Sequence, residues 1–210
     1  ARGETLYRRM SKQLCRTFKY YLDKKNVSSE KINMTFKVVG EDFEEEFKPD
    51  DPIYLMKPNN TPGYENESIM ELKSTDDDAR SGTIEVQFTN PITQKPDISN
   101  VLFKFTYIKR SIWDKENDDR SKFQTHLKNN QGISFVRNGR EIDFGNFGYY
   151  TLYDLTDRYW GCEIQFNPVL DEYFGVSIDK QGVRDIGPLR AFDMKDEGIT
   201  EEELENDPNK

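Results

Sequence analysis

Side chains that commonly carry out catalysis or bind metals are scarce in this sequence of 210 residues. It contains two cysteines, Cys15 and Cys162, which are far apart, and one histidine, His126. These residues supply neither a zinc ligand set nor a disulfide framework. A lone histidine on a polar segment is more often a surface residue than a catalytic base, which disfavours a Ser-His-Asp or Cys-His unit. The sequence therefore predicts no metal site.

The remaining residues that could act on a substrate lie in the last third of the chain. Asp171 and Glu172 are adjacent, and adjacent side chains usually point apart, so a self-contained hydrolase that uses this pair is disfavoured. Lys180 lies on a predicted loop between Gly175 and Gly182. An ammonium group on a flexible stem can contact a terminal phosphate and lose that partner when the phosphate leaves. Lys180 is therefore the candidate with the clearest chemistry.

The composition predicts a folded domain with a modest core and a very polar surface. Hydrophobic residues make up 34% of the chain and charged residues 33%, and the net charge is -9. A nucleic-acid partner is not supported by this charge. Basic residues are concentrated in residues 1–25, where the simplest interpretation is the solvated face of one helix. No membrane segment or signal peptide is recognisable, which predicts a cytoplasmic protein.

Hydrophobic periodicity predicts the elements that must position these residues. An apolar residue recurs at every fourth position from Leu6 to Leu22, which is typical of an amphipathic helix over residues 4–25. Apolar residues on both sides of the segment 101–109 place that strand inside a sheet. The other predicted elements are strands over 31–39, 83–88 and 159–166, a polar helix over 111–130 anchored by Ile112, Phe123 and Leu127, a helical turn over 168–175 and a loop over 176–182.

The strongest local signal is the pair Asn138-Gly139 between two apolar runs. This pair predicts a hairpin with a two-residue type I′ turn, because both turn positions need a positive φ. The expected register pairs Arg137 with Arg140, Phe135 with Ile142, and Ile133 with Phe144. All four apolar side chains would then lie on one face of the hairpin.

Two composition shifts divide the chain. Residues 57–82 are polar and predict a mobile loop between strands, and residues 193–210 form an acidic tail. The start without Met and a capping-box pattern at Thr200 predict that both ends are truncated. The expected organisation is a linking helix over 1–25, one domain over 26–192 and the tail. The order of helices and strands predicts an α+β domain with a mixed or antiparallel sheet.

Four ordered blocks resemble the transducer domain of GHKL ATPases, and MORC-like bacterial ATP-binding proteins most closely. They cover residues 132–182, about a quarter of the chain. The blocks are Gly132-Ile133-Ser134 with Arg137-Asn138-Gly139-Arg140-Glu141-Ile142, Trp160-Gly161-Cys162-Glu163-Ile164, Leu170-Asp171-Glu172 with Phe174-Gly175, and Asp179-Lys180-Gln181. Such proteins usually have Asn where this chain has Asp179.

The resemblance implies a ribosomal-protein-like two-layer sandwich, the transducer fold, with helices on one face of the sheet. It implies that an ATP-binding domain precedes this chain as its partner and that the protein forms an ATP-dependent homodimer. Lys180 would be the switch lysine that contacts the γ-phosphate, and Gln181 a neighbouring polar contact. ATP and magnesium would bind to the full-length protein. This chain alone, which lacks GxGxxG, GxxxxGK[ST] and HExxH motifs, would neither bind nor hydrolyse ATP.

One alternative of a different class stays open. The chain could be a stand-alone protein-interaction module that uses its basic first helix and acidic tail as binding surfaces, with the Lys180 loop serving only the fold. Nucleotide-binding motifs encoded upstream of Ala1 would favour the ATPase, and an initiator codon directly before Ala1 would favour the interaction module.

Overall fold

The computed structural model describes residues 2–25, 31–73, 82–90, 93–113, 120–147 and 155–184. Within these ranges the helices are α1 (Arg2–Thr17), α2 (Lys19–Leu22), α3 (Arg110–Trp113) and α4 (Arg120–Asn129). The strands are β1 (Thr35–Lys37), β2 (Glu44–Glu46), β3 (Met70–Leu72), β4 (Gly82–Thr89), β5 (Pro96–Ile108), β6 (Ile133–Arg137), β7 (Arg140–Gly145) and β8 (Trp160–Phe166). Short 3-10 helices span Thr156–Tyr159 and Pro168–Leu170.

Six of these strands form one sheet. Its order is β3-β5-β8-β6-β7, and β4 also pairs with β5. β8 runs antiparallel to β5 but parallel to β6, so the sheet is mixed. This arrangement confirms the predicted α+β class. The strands β1 and β2 form a separate antiparallel pair.

The long strand β5 lies inside the sheet, as its sequence predicted. It pairs with β3 and β4 along one side and with β8 along the other. Val101 and Thr106 are both buried, and their positions in the strand place them on opposite faces. Each face of β5 therefore contributes a buried side chain.

One face of the sheet, here called the loop face, carries the larger apolar core. Its strands contribute Val101, Phe135 and Ile164, which are all buried. Leu170 and Val183 belong to the same cluster, so the chain that follows β8 folds back over this face. The burial of apolar area between sheet and loop holds the loop close to the sheet.

The opposite face, here called the helix face, is covered by helices. Lys104 on β5 contacts Tyr20 of α2 at 2.7 Å. On the same face, Thr106 contacts Met70, which belongs to the apolar cluster of α3 and α4. The predicted anchors of the polar helix are buried in that cluster, which confirms them: Ile112, Phe123 and Leu127.

The first predicted helix differs from the structure in two ways. The sequence predicted one helix over residues 4–25, but α1 ends at Thr17 and α2 ends at Leu22. Leu6 and Met10 are exposed, whereas Lys19 is fully buried. The prediction of a solvated basic face is therefore wrong for Lys19, because carboxylates from distant parts of the chain pair with it.

The polar segment 57–82 also differs from its predicted form. Over residues 57–73 it contains β3, and it buries Asn59, Thr61 and Tyr64. The Asn59 Nδ2 group donates to the carbonyl oxygens of Met56 and Glu67, so this polar side chain satisfies backbone acceptors inside a packed loop. Residues 74–81 of the segment, and the acidic tail 193–210, lie outside the described residues.

The hairpin turn is confirmed, but its register is only partly as predicted. Asn138 and Gly139 have φ values of 49° and 79°, and Arg137 pairs with Arg140. A bulge then shifts the pairing, so that Ser134 faces Phe144. The predicted pairs of Phe135 with Ile142 and of Ile133 with Phe144 are wrong.

The bulge has a physical reason in two distant contacts. It places Asp143 on the loop face, where the Oδ2 atom accepts the backbone N–H of Val183 at 2.9 Å. It places Phe144 on the helix face, where the Arg16 guanidinium lies 3.5 Å from the ring centroid. A hairpin in simple register would lose both contacts.

Candidate functional site

Lys180 lies on a closed loop that follows β8. The backbone N–H of Ser177 donates to the Gly182 carbonyl at 3.0 Å, and the N–H of Lys180 donates to the Ser177 carbonyl at 2.8 Å. Lys180 itself has a φ of 57°, in the left-handed region that most residues avoid. The loop therefore holds its lysine in a defined and slightly strained backbone conformation.

Asp179 stabilises this loop. Its Oδ1 atom accepts the Ser177 hydroxyl at 2.5 Å and the Gln181 backbone N–H at 3.3 Å. These hydrogen bonds from Ser177 and Gln181 lower the pKa of the Asp179 carboxyl. An asparagine at this position would offer the same kind of acceptor oxygen for these two hydrogen bonds. Gln181 is exposed next to it.

The Lys180 ammonium shares one carboxylate with an arginine. Lys180 Nζ lies 2.9 Å from Asp171 Oδ2. The guanidinium of Arg137 contacts the same carboxylate twice, with Nε 2.6 Å from Oδ1 and one terminal nitrogen 2.9 Å from Oδ2. Although burial opposes ionisation, the hydrogen bonds from these two cations lower the pKa of Asp171. This Lys180 cluster of Arg137, Asp171 and Lys180 has one cation in excess.

Three parts of the fold position the cluster. Arg137 is the last residue of β6. Asp171 directly follows the 3-10 helix Pro168–Leu170, which lies between β8 and the loop. Asp143 of β7 holds the other end of the loop through the backbone of Val183. The mixed sheet therefore supports the Lys180 loop at both ends.

The Lys180 ammonium can also donate to an anion that arrives from solvent. The side chain of Lys180 is 43% exposed, so its ammonium can exchange a carboxylate for another anion. Asp171 is neutralised by two cations, which removes it as the base of the hydrolase considered above. Across the described ranges, no group of three or more His, Cys, Asp or Glu residues is arranged to hold a metal ion.

A second charged cluster was missed by sequence reasoning. The Lys19 side chain is fully buried on the helix face, with its Nζ atom 2.5 Å from Glu163 Oε2. The same nitrogen lies 3.1 Å from Ser134 Oγ, 3.5 Å from Glu141 Oε2 and 3.9 Å from Asp51 Oδ1. Four separate parts of the chain therefore meet around one ammonium group.

Further cations make this buried cluster neutral. Arg16 Nε lies 2.9 Å from Glu141, and Lys104 Nζ lies 3.1 Å from Glu163. The Lys19 cluster thus contains three cations and three carboxylates: Arg16, Lys19, Lys104, Asp51, Glu141 and Glu163. Although burial opposes its ionisation, Lys19 and Lys104 lower the pKa of Glu163 to about 2. Because its charges are paired inside the protein, the cluster acts as part of the core.

One sequence signal could have revealed this cluster. Glu163 interrupts β8, whose neighbouring positions Cys162 and Ile164 are apolar and buried. A carboxylate at the centre of a strand that is covered on both faces needs a buried cation as a partner. The basic residues of the first helix were the available source of that cation.

The histidine and the two cysteines are packed inside the fold. His126 is half-buried and not on the surface as predicted, since its ring packs against Tyr54 and contacts Asn130. Burial lowers the pKa of His126. Cys15 and Cys162 are free thiols, and burial raises the pKa of each to about 12, so neither is an activated nucleophile.

Comparisons with protein-family models, with curated proteins and with solved structures gave no significant match. In the part of the chain that the structure describes, no helix is both long enough and apolar enough to cross a membrane.

Proposed function

We propose that this chain is the transducer domain of a GHKL-type ATPase. In this proposal it couples ATP binding and hydrolysis in a preceding ATP-binding domain to a conformational change. Lys180 would reach from its loop into the ATP site of the preceding domain and contact the γ-phosphate. The observation that carries the proposal is the half-exposed ammonium of Lys180, which a closed loop holds within a cluster that has one cation in excess.

The positions of the four resembling blocks support this proposal. Arg137 of the first block, Asp171 of the third and Lys180 of the fourth meet in one ion cluster. The second block forms β8, which lies beside the β6 strand of the first block. Residues separated by up to 43 positions in sequence thus lie in one cluster. The mixed sheet with helices packed on one face is compatible with the proposed two-layer transducer sandwich.

The chemistry proposed for Lys180 is electrostatic. A cation that reaches the transferring phosphoryl group stabilises the charge that shifts during cleavage. The same contact ends when the γ-phosphate leaves, so the position of Lys180 depends on whether the γ-phosphate is bound. The loop that carries Lys180 would pass this change on to the sheet. In the full-length protein, ATP and magnesium would be held by the preceding domain, and this chain would supply only Lys180, with Gln181 beside it.

The test is the ATP turnover of the complete ATPase with Lys180→Ala. Loss of one contact to the transferring phosphoryl group should cost about 2 to 4 kcal/mol, which lowers turnover roughly 30- to 1000-fold. Lys37→Ala is the matched control, because Lys37 is also a surface lysine in an ion pair, 2.9 Å from Glu44, but lies on the separate β1-β2 pair. Wild-type turnover by Lys180→Ala would refute the proposal.

Calorimetric titration of the 210-residue chain with Mg-ATP adds a second readout. The proposal places the nucleotide site in another domain, so no heat of binding is expected. Micromolar affinity, a binding free energy of about -8 kcal/mol, would mean that the chain contains its own nucleotide site.

A further inference from the structure

Asp171 holds two cations whose contacts differ in kind. Arg137 makes two hydrogen bonds to it and is 22% exposed, whereas Lys180 makes one and is 43% exposed. A bidentate arginine contact is geometrically fixed, whereas a single contact from a half-exposed lysine contributes little and exchanges readily. If one cation leaves Asp171, it will be Lys180.

The departure of Lys180 does not leave an unpaired charge. The Asp171 side chain is only 20% exposed, so a carboxylate with no cation there would be costly. Arg137 remains in contact with both of its oxygens. The contact between Asp143 and Val183 also holds the end of the loop, so the ammonium can move while the base of the loop stays in place.

We propose that Asp171 is a positioning residue that latches Lys180 away from the γ-phosphate, and that Arg137 keeps the latch in place and neutral while Lys180 is released. This inference rests on the proposed function, and it concerns how the lysine is regulated. The γ-phosphate must compete with Asp171 for the ammonium. The latch therefore sets the concentration of Mg-ATP at which the lysine engages.

Asp171→Asn tests the latch, because the amide keeps an oxygen for Arg137 and loses the charge that holds Lys180. Exposed ion pairs contribute about 0.2 to 1 kcal/mol, and this pair is expected in the upper part of that range because the Asp171 side chain is only 20% exposed. Because apparent affinity scales with the competent fraction, the complete ATPase carrying Asp171→Asn should reach half-maximal turnover at a two- to fivefold lower Mg-ATP concentration. Asp171→Glu restores a carboxylate, so its half-saturation should return towards the wild-type value.

A readout without nucleotide tests the contact itself. We expect the initial rate of acetylation of Lys180 by acetic anhydride, measured by mass spectrometry, to rise about two- to fivefold in Asp171→Asn. Glu44→Gln is the matched control, since it removes the partner of Lys37 in the same way. It should raise acetylation of Lys37 without changing the half-saturating Mg-ATP concentration.

The outcomes separate the latch from the proposed function. If Lys180→Ala lowers turnover but Asp171→Asn changes neither half-saturation nor acetylation, the latch is overturned and the proposed function stands. A higher half-saturating concentration in Asp171→Asn also overturns the latch, because the carboxylate would then assist engagement. If Lys180→Ala turns over like the wild type, both proposals fail, whatever the acetylation rates are.

Discussion

Two lysines of this protein are held by carboxylates, and their surroundings make them opposites. Lys19 is fully buried between α2 and the sheet, where three carboxylates face it. Lys180 is half-exposed on a loop, where it shares one carboxylate with Arg137. If a buried ammonium group loses its carboxylate partner, no water is present to solvate the charge. An exposed ammonium group that loses its partner is solvated by water. Burial, more than the ion pair itself, separates a structural lysine from an exchangeable one.

Charge balance follows the same division. The Lys19 cluster has as many cations as carboxylates, as a group with a fully buried centre requires. The Lys180 cluster has an excess cation, which a buried site could not tolerate and which an incoming anion can use. The proposed function depends on this excess cation.

A single strand connects the two clusters. On β6, Ser134 points to the helix face and contacts Lys19, whereas Arg137 points to the loop face and contacts Asp171. The two positions are three residues apart, so they lie on opposite faces of the strand. A change in the β6-β7 hairpin is therefore expected to affect both clusters.

The largest expected effect is on stability, from Lys19→Ala. This change removes the cation that faces Glu163, Glu141 and Asp51, so that only Arg16 and Lys104 remain to balance three carboxylates inside the protein. Breaking a buried ion pair in this way costs about 3 to 5 kcal/mol in the free energy of unfolding. Urea unfolding of the 210-residue chain, followed by circular dichroism, measures the loss.

Lys24→Ala is the matched control for that measurement. Lys24 also pairs with a glutamate, Glu46, at 2.8 Å, but both side chains are exposed. Its free energy of unfolding should stay close to that of the wild type. Equal losses in Lys19→Ala and Lys24→Ala would show that the buried cluster does not stabilise the fold more than a surface pair does.

Sequence reasoning succeeded where the physical requirement is local. The Asn138-Gly139 turn could be predicted because both residues tolerate a positive φ, and β5 could be placed inside the sheet because apolar residues occur on both of its sides. Sequence reasoning failed where contacts with distant residues determine the local structure. The bulge depends on contacts of Asp143 and Phe144 with residues about 40 and 128 positions away.

The candidate site divides in the same way. Lys180 could be selected because of its place on a loop between two glycines and the resemblance of its surroundings. The sequence gives its partner Asp171 no ion-pair role, because nothing local indicates that Arg137, 34 positions earlier, contacts the same carboxylate. Lys19 was assigned to a solvated face because its carboxylate partners lie up to 144 positions away.

A smaller effect is expected from Gly139→Val, which acts on the hairpin that both clusters share. Gly139 has a φ of 79°, and a β-branched residue there is forced into a disfavoured region at a cost of about 1 to 3 kcal/mol. Gly82→Val is the control, since Gly82 lies in strand β4 and an added Cβ meets nothing within 4 Å. An unchanged melting temperature for Gly139→Val would contradict the turn assignment.

The smallest effect is expected from Lys180→Ala on stability, although the same change is expected to have a large effect on turnover. Arg137 stays on Asp171, so no charge is left without a partner, and surface substitutions of this kind usually change the free energy of unfolding by less than about 0.5 kcal/mol. The alanine also keeps a φ near 57° and gains no relief from backbone strain. Urea unfolding of Lys180→Ala and Lys19→Ala side by side compares their losses in the free energy of unfolding. A loss above about 2 kcal/mol would make Lys180 a structural lysine like Lys19, and a fall in turnover would then report a damaged fold.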